Sequence, residues 1–463
     1  MNFRGQSSKK IYLTTAAFLA ATSYSYGQQL EGPRGPELTF DFGLEFAVDD
    51  NEDLNDPSLG TTTRFDTLLG FGFESVTQSQ RLTFGANSSL RFTDEPVIGT
   101  VFELVSPEFR AGYSRFNRTS RFDFSGFYSE FDLDDRVFTF FDARLNPVDL
   151  VVSAGELRQS NFDVRYETGI GGPLNFAIDF NFDDRNFVDT IDPNLFDRTR
   201  ILTTASVEYA VSEVLTARIV GSYEDFDSEG DFTTDRQTTR ITFGGSYAVS
   251  PVLDVDASIN YTTFETESGG ATVLDDDDIG FGLFATRDLR SGTLTGGVER
   301  TITTAVARTE LSVARDFELP TGELGFGVGY SFADEGEDRF LVSFSAERDL
   351  PTGRVTARLS QEAVTDDDDD DILFTRLDLN YNQTINRSSS FGVGLGLARS
   401  EEIGPGVDED ITRASLNLSY NRSINRDWDW SVGYRHRLLD VDGSTSNSNA
   451  FFTGIDRSFS IRP

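Results

Sequence analysis

The chain has no cysteine, one histidine and one methionine. Without cysteine it can form no disulfide, no thiolate metal site and no cysteine nucleophile. Its two lysines, Lys9 and Lys10, both lie in the first ten residues, so the rest of the chain cannot carry lysine Schiff-base chemistry. His436 is the single histidine that could act as a general base, and no recognisable nucleophile motif lies beside it. We therefore predict that the protein is not an enzyme.

Long hydrophobic runs are also missing. A transmembrane helix needs about 20 apolar residues, and no segment after the N-terminus approaches that length. The N-terminus itself has three positive charges in its first ten residues, an apolar run over 11–22 and a small residue at Gly27. This is the layout of a secretory signal peptide. We predict that residues 1–27 are removed, which leaves 28–463 as a single exported domain.

Positive charge is scarce relative to negative charge. The chain has 77 acidic residues against 40 basic ones, a net charge of −37, and three of the positive charges lie in the predicted signal peptide. Such a surface repels nucleic acid and anionic headgroups. We therefore expect no nucleic-acid partner.

Short sequences recur along the chain. YNQTINR (381–387) returns as YNRSINR (420–426), and YAVSEVL (209–215) returns as YAVSPVL (247–253). Repeats at this distance indicate solenoids, propellers or arrays, and the residues between them decide which. After YNQTINR, apolar residues alternate with glycine and alanine in FGVGLGLA (391–398). A period of two predicts β-strands, and the spacing of three and four that a helix needs is missing.

The repeated heptads read as short turns, because Asn, Arg, Ser, Pro and Gly are the residues found where a chain reverses. Strands of about ten to thirteen residues flank each turn, and acidic stretches separate one hairpin from the next, at 48–56, 225–231, 265–278, 334–338, 366–371 and 401–410. A tilted strand needs ~9–11 residues to cross a bilayer. The blades of a propeller have room only for shorter strands. We predict an all-β, up-and-down antiparallel transmembrane barrel of about 22 strands, with a range of 16–24, short periplasmic turns and long acidic outer loops.

Over its whole mature length the sequence resembles the outer-membrane β-barrel porins of Gram-negative bacteria. The shared features are the signal peptide, hairpins of alternating polarity, short turns and long loops. Barrel closure would satisfy every backbone donor and acceptor in lipid. The C-terminus ends FFTGIDRSFSIRP, where Phe459 partly matches the family's aromatic assembly signal although it is not the last residue. The resemblance implies an outer-membrane location, with lipids, lipopolysaccharide and the barrel assembly machinery as partners. A homo-oligomer is left open.

If the large apolar residues face lipid, the residues between them line the lumen. A Thr-Arg pair begins several strands just after an acidic stretch. We predict that these arginines form an inward-pointing band at the outer mouth that acts on anionic solutes: Arg64, Arg200, Arg240, Arg376 and Arg413. The alternative is that they pair with loop carboxylates.

The longest gap between clear strands is 132–159, which is apolar and aromatic rather than acidic. It is the third outer connection, and in general porins, as the resemblance implies, the third outer loop folds into the barrel and narrows the pore. Asp142, Arg144, Asp149 and Glu156 would then face the constriction. The alternative is an external hairpin that extends two strands.

The aspartate runs at 275–278 and 366–371 lack the glycine and the spaced ligands of a calcium loop. We predict solvated, self-repelling loops and no cofactor. The alternative is weak Ca²⁺ or Mg²⁺ bridging between the outer loops and lipopolysaccharide.

The leading functional hypothesis is a porin-like channel for passive diffusion of small hydrophilic solutes. The alternatives are an export barrel for a polymer such as an exopolysaccharide, and a structural or adhesive surface barrel. A TonB-dependent transporter has a similar strand number, but it needs an N-terminal plug domain for which we expect no room. Twenty-two strands without a plug would enclose a lumen too wide for a small-solute pore. Either loops and arginines fill part of the lumen, or the number of strands is nearer 16–18.

Overall fold

The computed structural model describes residues 35–133, 155–190, 195–229, 234–268, 271–304, 306–334, 336–365, 371–402 and 410–462. All regular secondary structure in these residues is β-strand. The 22 strands are β1 (Glu37–Asp49), β2 (Thr62–Val76), β3 (Gln80–Glu95), β4 (Gly99–Phe116), β5 (Ser120–Asp132), β6 (Glu156–Thr168), β7 (Leu174–Val188), β8 (Asp197–Ala210), β9 (Leu215–Glu229), β10 (Thr234–Ser250), β11 (Leu253–Ser268), β12 (Ala271–Leu289), β13 (Gly292–Ile302), β14 (Ala307–Leu319), β15 (Gly322–Ala333), β16 (Arg339–Leu350), β17 (Gly353–Thr365), β18 (Asp371–Asn386), β19 (Ser389–Glu402), β20 (Asp410–Ser423), β21 (Asp429–Val441) and β22 (Ser444–Ile461). Within these residues no helix has the length and apolar character needed to cross a membrane. The predicted signal peptide lies outside the described residues.

Each strand pairs antiparallel with the next one along the chain, and β1 pairs with β22 to close the barrel. At this closure Leu38 lies opposite Ile461, and Asp49 lies opposite Ala450. The predicted up-and-down barrel and its count of about 22 strands are confirmed. The lower count of 16–18 is wrong. A closed ladder pairs the backbone of every strand with two neighbours, which is what a sheet in lipid requires.

The alternation read from the sequence separates two faces of the barrel wall. In β15, Phe326, Val328 and Tyr330 are exposed on one face, and small residues occupy the other. In register across four strands, Phe46, Phe65, Phe92 and Phe102 form an aromatic row on the same outer face. An apolar exterior with an aromatic row at its margin is the pattern of a barrel in a lipid bilayer. The protein is an outer-membrane β-barrel.

The connections at one end of the barrel are all short, whereas the longer connections lie at the other end together with short turns such as 442–443. Both LPTG repeats form two-residue turns, at 320–321 and 351–352, and the repeated YN heptads run out of strands into turns. Gly322 has φ +154°, and a Cβ there would collide with the carbonyl oxygen of Glu347 on the neighbouring strand. Glycine is therefore required where this turn re-enters the sheet.

The composition of 275–278 predicted a loop, and this prediction is wrong. The four aspartates lie within β12, paired with residues of β11. Strands on this side extend past the apolar belt into the aqueous phase, where a strand has no need of apolar residues on either face. Polarity alone therefore could not separate strand from loop there.

Candidate functional site at the outer mouth

The polar face of the wall lines the lumen, and its outer end carries a buried ion pair. Arg437 of β21 is 2 % exposed and its Nη2 lies 2.9 Å from Oδ2 of Asp49 at the end of β1. The same nitrogen donates a hydrogen bond of 2.7 Å to the backbone carbonyl of Glu52. Ser448 of β22 donates to Asp49 at 2.7 Å. These contacts hold the connection at 50–61, here called the first loop, against the inner wall beside the barrel closure.

The ion pairs continue from the first loop along the inner wall. Arg64 binds Glu52 at 2.8 Å and Asp66 at 3.1 Å. Asp66 also accepts from Arg91 at 2.9 Å, and Arg91 reaches Asp132 of β5 at 2.9 Å. With Arg437 and Asp49, these residues form what we call the seam network. Because each arginine binds more than one acceptor, the network fixes the first loop and five strands (β1, β2, β3, β5 and β21) in a single geometry.

An apolar contact holds the middle of the first loop. Leu54 packs against a buried cluster of Phe374, Ala398, Ile411 and Leu439. Ala398 lies in register with Arg376 on one side and Arg413 on the other, so the cluster shares the inner face with these arginines. Leu54 has φ +53°, which is uncommon for a leucine. The loop thus adopts an unfavourable backbone geometry to place this side chain on the wall.

Four of the five arginines predicted to line the pore lie on the inner face, and three of them bind carboxylates. Arg64 belongs to the seam network, Arg200 binds Glu224 at 2.7 Å, and Arg376 binds Asp378 at 2.6 Å. Arg413 is buried in register with Ala398. Of the carboxylates named here, only Glu52 belongs to a loop; the others lie in strands. The action of these arginines on solutes stays a prediction.

The fifth arginine differs from the others. Arg240 donates to Oγ1 of Thr262 at 3.0 Å and to the backbone carbonyl of Ile302 at 3.2 Å. Within the described part of the chain it makes no ion pair. Its neighbour in space, Glu299, lies three strands further round the wall, on β13.

Three inner-face glutamates lie near the outer end of the barrel, close to Arg240 in the case of Glu299. Glu299 of β13 lies in register with Glu310 of β14, on the face opposite the exposed Leu311. Glu362 of β17 lies in register with the buried Phe374. In the described residues none of the three makes a hydrogen bond or an ion pair. They form a partly buried acidic stretch of the inner wall that the sequence did not single out, because each glutamate stands alone in an alternating strand.

Most of the predicted constriction lies outside the described residues, including Asp142, Arg144 and Asp149. Glu156 is the first residue of β6 and lies 3.3 Å from Arg158. Glu156 and Arg158 lie on one face of β6, and Leu157 between them lies on the opposite face. Leu157 is fully buried there and packs with Phe131 and Leu133. The role of these residues in a constriction stays a prediction.

The outer rim holds one further charged group of note. Arg300 donates two hydrogen bonds to Asp334, at 3.0 and 2.6 Å, and one to Asp278 at 3.0 Å. The guanidinium of Arg300 lowers the pKa of the Asp334 carboxyl below its ordinary value.

Across the described residues, no three His, Asp or Glu side chains are arranged to hold a metal ion. Residues 366–370 lie outside this description, so weak Ca²⁺ bridging there stays a prediction.

His436 lies away from the lumen. It shares the outer face of β21 with Tyr434, and both side chains contact Oδ1 of Asn449, at 3.1 and 2.7 Å. Asn449 in turn donates to Asp50 at 2.9 Å. The histidine is part of a hydrogen-bonded group at the outer rim.

Neither a protein-family model nor any curated protein sequence matches the chain. Among solved structures, the chain is similar to the ferric-catecholate import receptor Fiu of E. coli K12, with a TM-score of 0.59 at 8% identity over 92% of this chain and 81% of that one. It is similar to the FrpB iron transporter of Neisseria meningitidis, with a TM-score of 0.60 at 9% identity over 92% and 82%. It is also similar to the copper transporter OprC, with a TM-score of 0.56 at 11% identity over 92% and 81%. At these identities the likeness shows the fold.

These neighbours correct the functional hypothesis. The neighbours named above are a ferric-catecholate import receptor, an iron transporter and a copper transporter, whereas the sequence favoured a passive diffusion porin. The hypothesis of a porin-like channel is therefore wrong, and the polymer-export and adhesive alternatives find no counterpart among these neighbours. The physical reason is barrel size, because the strand number that argued against a small-solute pore is the one observed.

Proposed function

We propose that the chain is the barrel of an outer-membrane uptake protein that binds a small cationic solute at its outer mouth. One observation carries the proposal: a closed 22-stranded barrel that matches metal importers over 92% of its length. Two of the neighbours are named for iron and one for copper. A metal ion or a metal complex is the solute class that this likeness supports.

The charge of the molecule supports a cationic rather than an anionic solute. A net charge of −37 attracts cations to the mouth and repels anions. Three arginines of the predicted band are already held by carboxylates, which leaves them less available to an anion. Glu299, Glu310 and Glu362, which make no ion pair with any described residue, offer carboxylate oxygens on the inner wall. Carboxylates in such a partly buried setting gain most from a cationic partner.

The test is saturable uptake in a Gram-negative host that lacks its own outer-membrane receptors for iron and copper. Cells that produce the full chain are given copper(II) as the cationic probe and a ferric catecholate as the anionic probe. We expect saturable copper accumulation at least fivefold above that of cells without the chain, and no gain for the ferric catecholate. Uptake of neither probe, or uptake that rises linearly without saturation, contradicts the proposal.

A matched pair of variants assigns the effect to the outer mouth. Glu310→Gln removes one carboxylate of the acidic stretch and should lower copper accumulation at least threefold. Glu167→Gln removes a carboxylate on the same inner face near the short-turn end, where Asn175 donates to it at 2.8 Å. This control should leave uptake unchanged. Equal losses in both variants would mean that only the total charge of the lumen matters.

A further inference from the structure

The hairpin of β3 and β4 stands apart from the rest of the wall at its outer end. The pairing of β4 with β5 stops at Glu108 opposite Ser129, whereas its pairing with β3 continues to Gly99. The two pairings diverge at Ser106, which has φ +50°. Among the described residues, Gly99–Val105 therefore has a partner on one side only. We call this segment the β4 edge.

The two longest other extensions of outer strands past a neighbour, on β22 and β12, are both protected. On β22 the residues before Ala450 have no partner in β1, but the first loop binds them through Asp50 N to Asn449 O at 3.1 Å and Asn51 Nδ2 to Asn447 O at 2.9 Å. On β12 the residues before Phe281 have no partner in β13, and that edge carries the four aspartates of 275–278. Charge along an edge is a common device against unwanted strand pairing.

The β4 edge has no covering loop among the described residues, and Glu103 is the only charged residue on it. It carries Val101, Phe102, Glu103 and Leu104, and Phe102 and Leu104 are 69 % and 59 % exposed. The ordinary lipid-facing Phe326 is 48 % exposed. The hairpin tip adds Val97 and Ile98, which are more exposed still. An unpaired row of backbone groups flanked by exposed apolar side chains is the surface to which an extended peptide adds as a further strand.

We propose that the β4 edge is a docking site for an extended segment of a partner protein, which adds to the sheet as an antiparallel strand. The side chains define the chemistry of that segment. Phe92, Phe102 and Leu104 lie on the outer face and require apolar residues there, whereas Glu95 and Glu103 lie on the other face. With the net charge of −37, this favours a segment in which apolar residues alternate with basic ones.

A second copy of this chain fits the edge less well. Two copies in one membrane share their orientation and are related by an axis along the membrane normal, so their β4 strands meet in parallel. A parallel pair is less stable per residue than an antiparallel one. Glu103 would also face an identical acidic surface rather than a complementary one.

Two peptides of equal composition test the proposal on the full chain, folded in detergent. The first is a fluorescent octapeptide in which valine and arginine alternate, and the second has four valines followed by four arginines. Fluorescence anisotropy should give the alternating peptide a Kd at least tenfold lower. Phe102→Asp combined with Leu104→Asp places charge on the edge as β12 does, and should weaken binding at least tenfold. Asp275→Asn on the protected β12 edge is the matched control and should change nothing.

A milder variant keeps the test decisive if the double aspartate protein fails to fold. Phe102→Ala with Leu104→Ala should still weaken binding at least threefold. Equal affinity for both peptides, or binding that no edge substitution changes, overturns the proposal. A third result also overturns the proposal: neither peptide binds, and the amides of 99–105 are protected from hydrogen exchange. This would mean that residues 134–154 of the same chain cover the edge. Disulfide-linked dimers of a Phe102→Cys variant would assign the edge to a second copy and overturn it as well.

Discussion

The guanidinium of Arg437 lies 2.9 Å from the carboxylate of Asp49, across the strand that separates β21 from β1. The two residues are 388 positions apart in the chain. Their side chains are 2 % and 11 % exposed, so the pair is largely withdrawn from water. The ion pair therefore links the two ends of the chain at the place where the barrel closes.

Removing one partner of this pair should be costly. We expect Asp49→Ala to lower the free energy of unfolding by about 3–5 kcal/mol, because it leaves a buried guanidinium without its counter-charge. Urea unfolding from lipid vesicles, followed by tryptophan fluorescence, measures the change. The double variant Asp49→Ala with Arg437→Met should recover part of the loss.

An exposed pair serves as the control for that experiment. Arg399 and Asp410 are 2.6 Å apart, but both side chains are more than 40 % exposed. Asp410→Ala should cost only about 0–1 kcal/mol, since water already solvates both charges. If Asp49→Ala and Asp410→Ala cost the same, burial does not set the strength of the Arg437 contact.

The LPTG turn at 319–322 gives a prediction about assembly. Gly322→Ala places a Cβ against the carbonyl oxygen of Glu347 at φ +154°. We expect a loss of about 1–3 kcal/mol from the strained backbone alone, with further loss from the collision. The folded fraction after refolding into detergent, read from the heat-dependent shift in gel mobility, should fall clearly.

Gly336→Ala separates the two causes. Gly336 also has a positive φ, +101°, but a Cβ there meets nothing within 4 Å. It should lose only the roughly 1–3 kcal/mol of backbone strain, without a collision, and should therefore fold better than Gly322→Ala. Equal defects in Gly322→Ala and Gly336→Ala would mean that backbone strain, rather than contact with Glu347, is the cause.

The lipid-spanning half of the fold could be predicted from the sequence because two solvents act on it. In β15 and β19 each residue faces either lipid or the lumen, so polarity alternates with the period of the strand. The aspartates of β12 extend into water on both sides, where that constraint ends. The number of strands could therefore be predicted from the sequence, but the residues at which they end on the outer side could not.

The candidate site could be predicted only in part. The alternation of apolar and polar residues correctly predicted that Arg64, Arg200 and Arg376 lie on the inner face, because the residues on either side of each arginine in the strand face outward. Arg376 binds Asp378 two residues along its own strand, a spacing that the sequence shows. Glu224, the partner of Arg200, lies on the adjacent strand, and Glu52, a partner of Arg64, lies in the first loop, so only the fold decides those pairs. Leu54 was the one signal for the inward course of the first loop, as a single apolar residue within an acidic stretch. The divergence of β4 from β5 depends on a local backbone turn at Ser106 that composition does not reveal.

The contact of Leu54 can be tested by proteolysis of the first loop. Leu54→Asn removes the apolar contact with the cluster of Phe374, Ala398, Ile411 and Leu439, while asparagine tolerates the positive φ at this position. Loss of about 1–2 kcal/mol of apolar burial should open the loop roughly tenfold more often. A glutamate-specific protease should then cleave after Glu52 about tenfold faster.

Leu59→Asn is the matched control. Leu59 belongs to the same loop but is exposed and is absent from the cluster. Its substitution should leave cleavage after Glu52 unchanged. If both variants are cleaved at the rate of the unaltered protein, the seam network alone holds the loop.

The pair of Arg300 and Asp334 gives the pH dependence of the outer rim. Two hydrogen bonds from Arg300 favour the ionised carboxylate and lower the pKa of Asp334. A carboxyl whose pKa is lower in the folded state contributes stability above its unfolded pKa of ~3.9. That contribution is lost as the pH falls through the lower folded pKa. The connection that follows β15 should therefore keep its structure down to about pH 4.

Carbon-13 NMR of the Asp334 carboxyl in the folded barrel measures the shift directly, and we expect a titration midpoint below ~3.9. Hydrogen exchange at residues 336–338, corrected for the intrinsic rate, should rise only under more acidic conditions. Asp334→Asn should abolish this response, because an amide accepts from Arg300 without titrating. Asp349→Asn, at an exposed site near the opposite end of the barrel, should retain it. A midpoint at or above the ordinary aspartate value would show that Arg300 does not hold the carboxylate in solution.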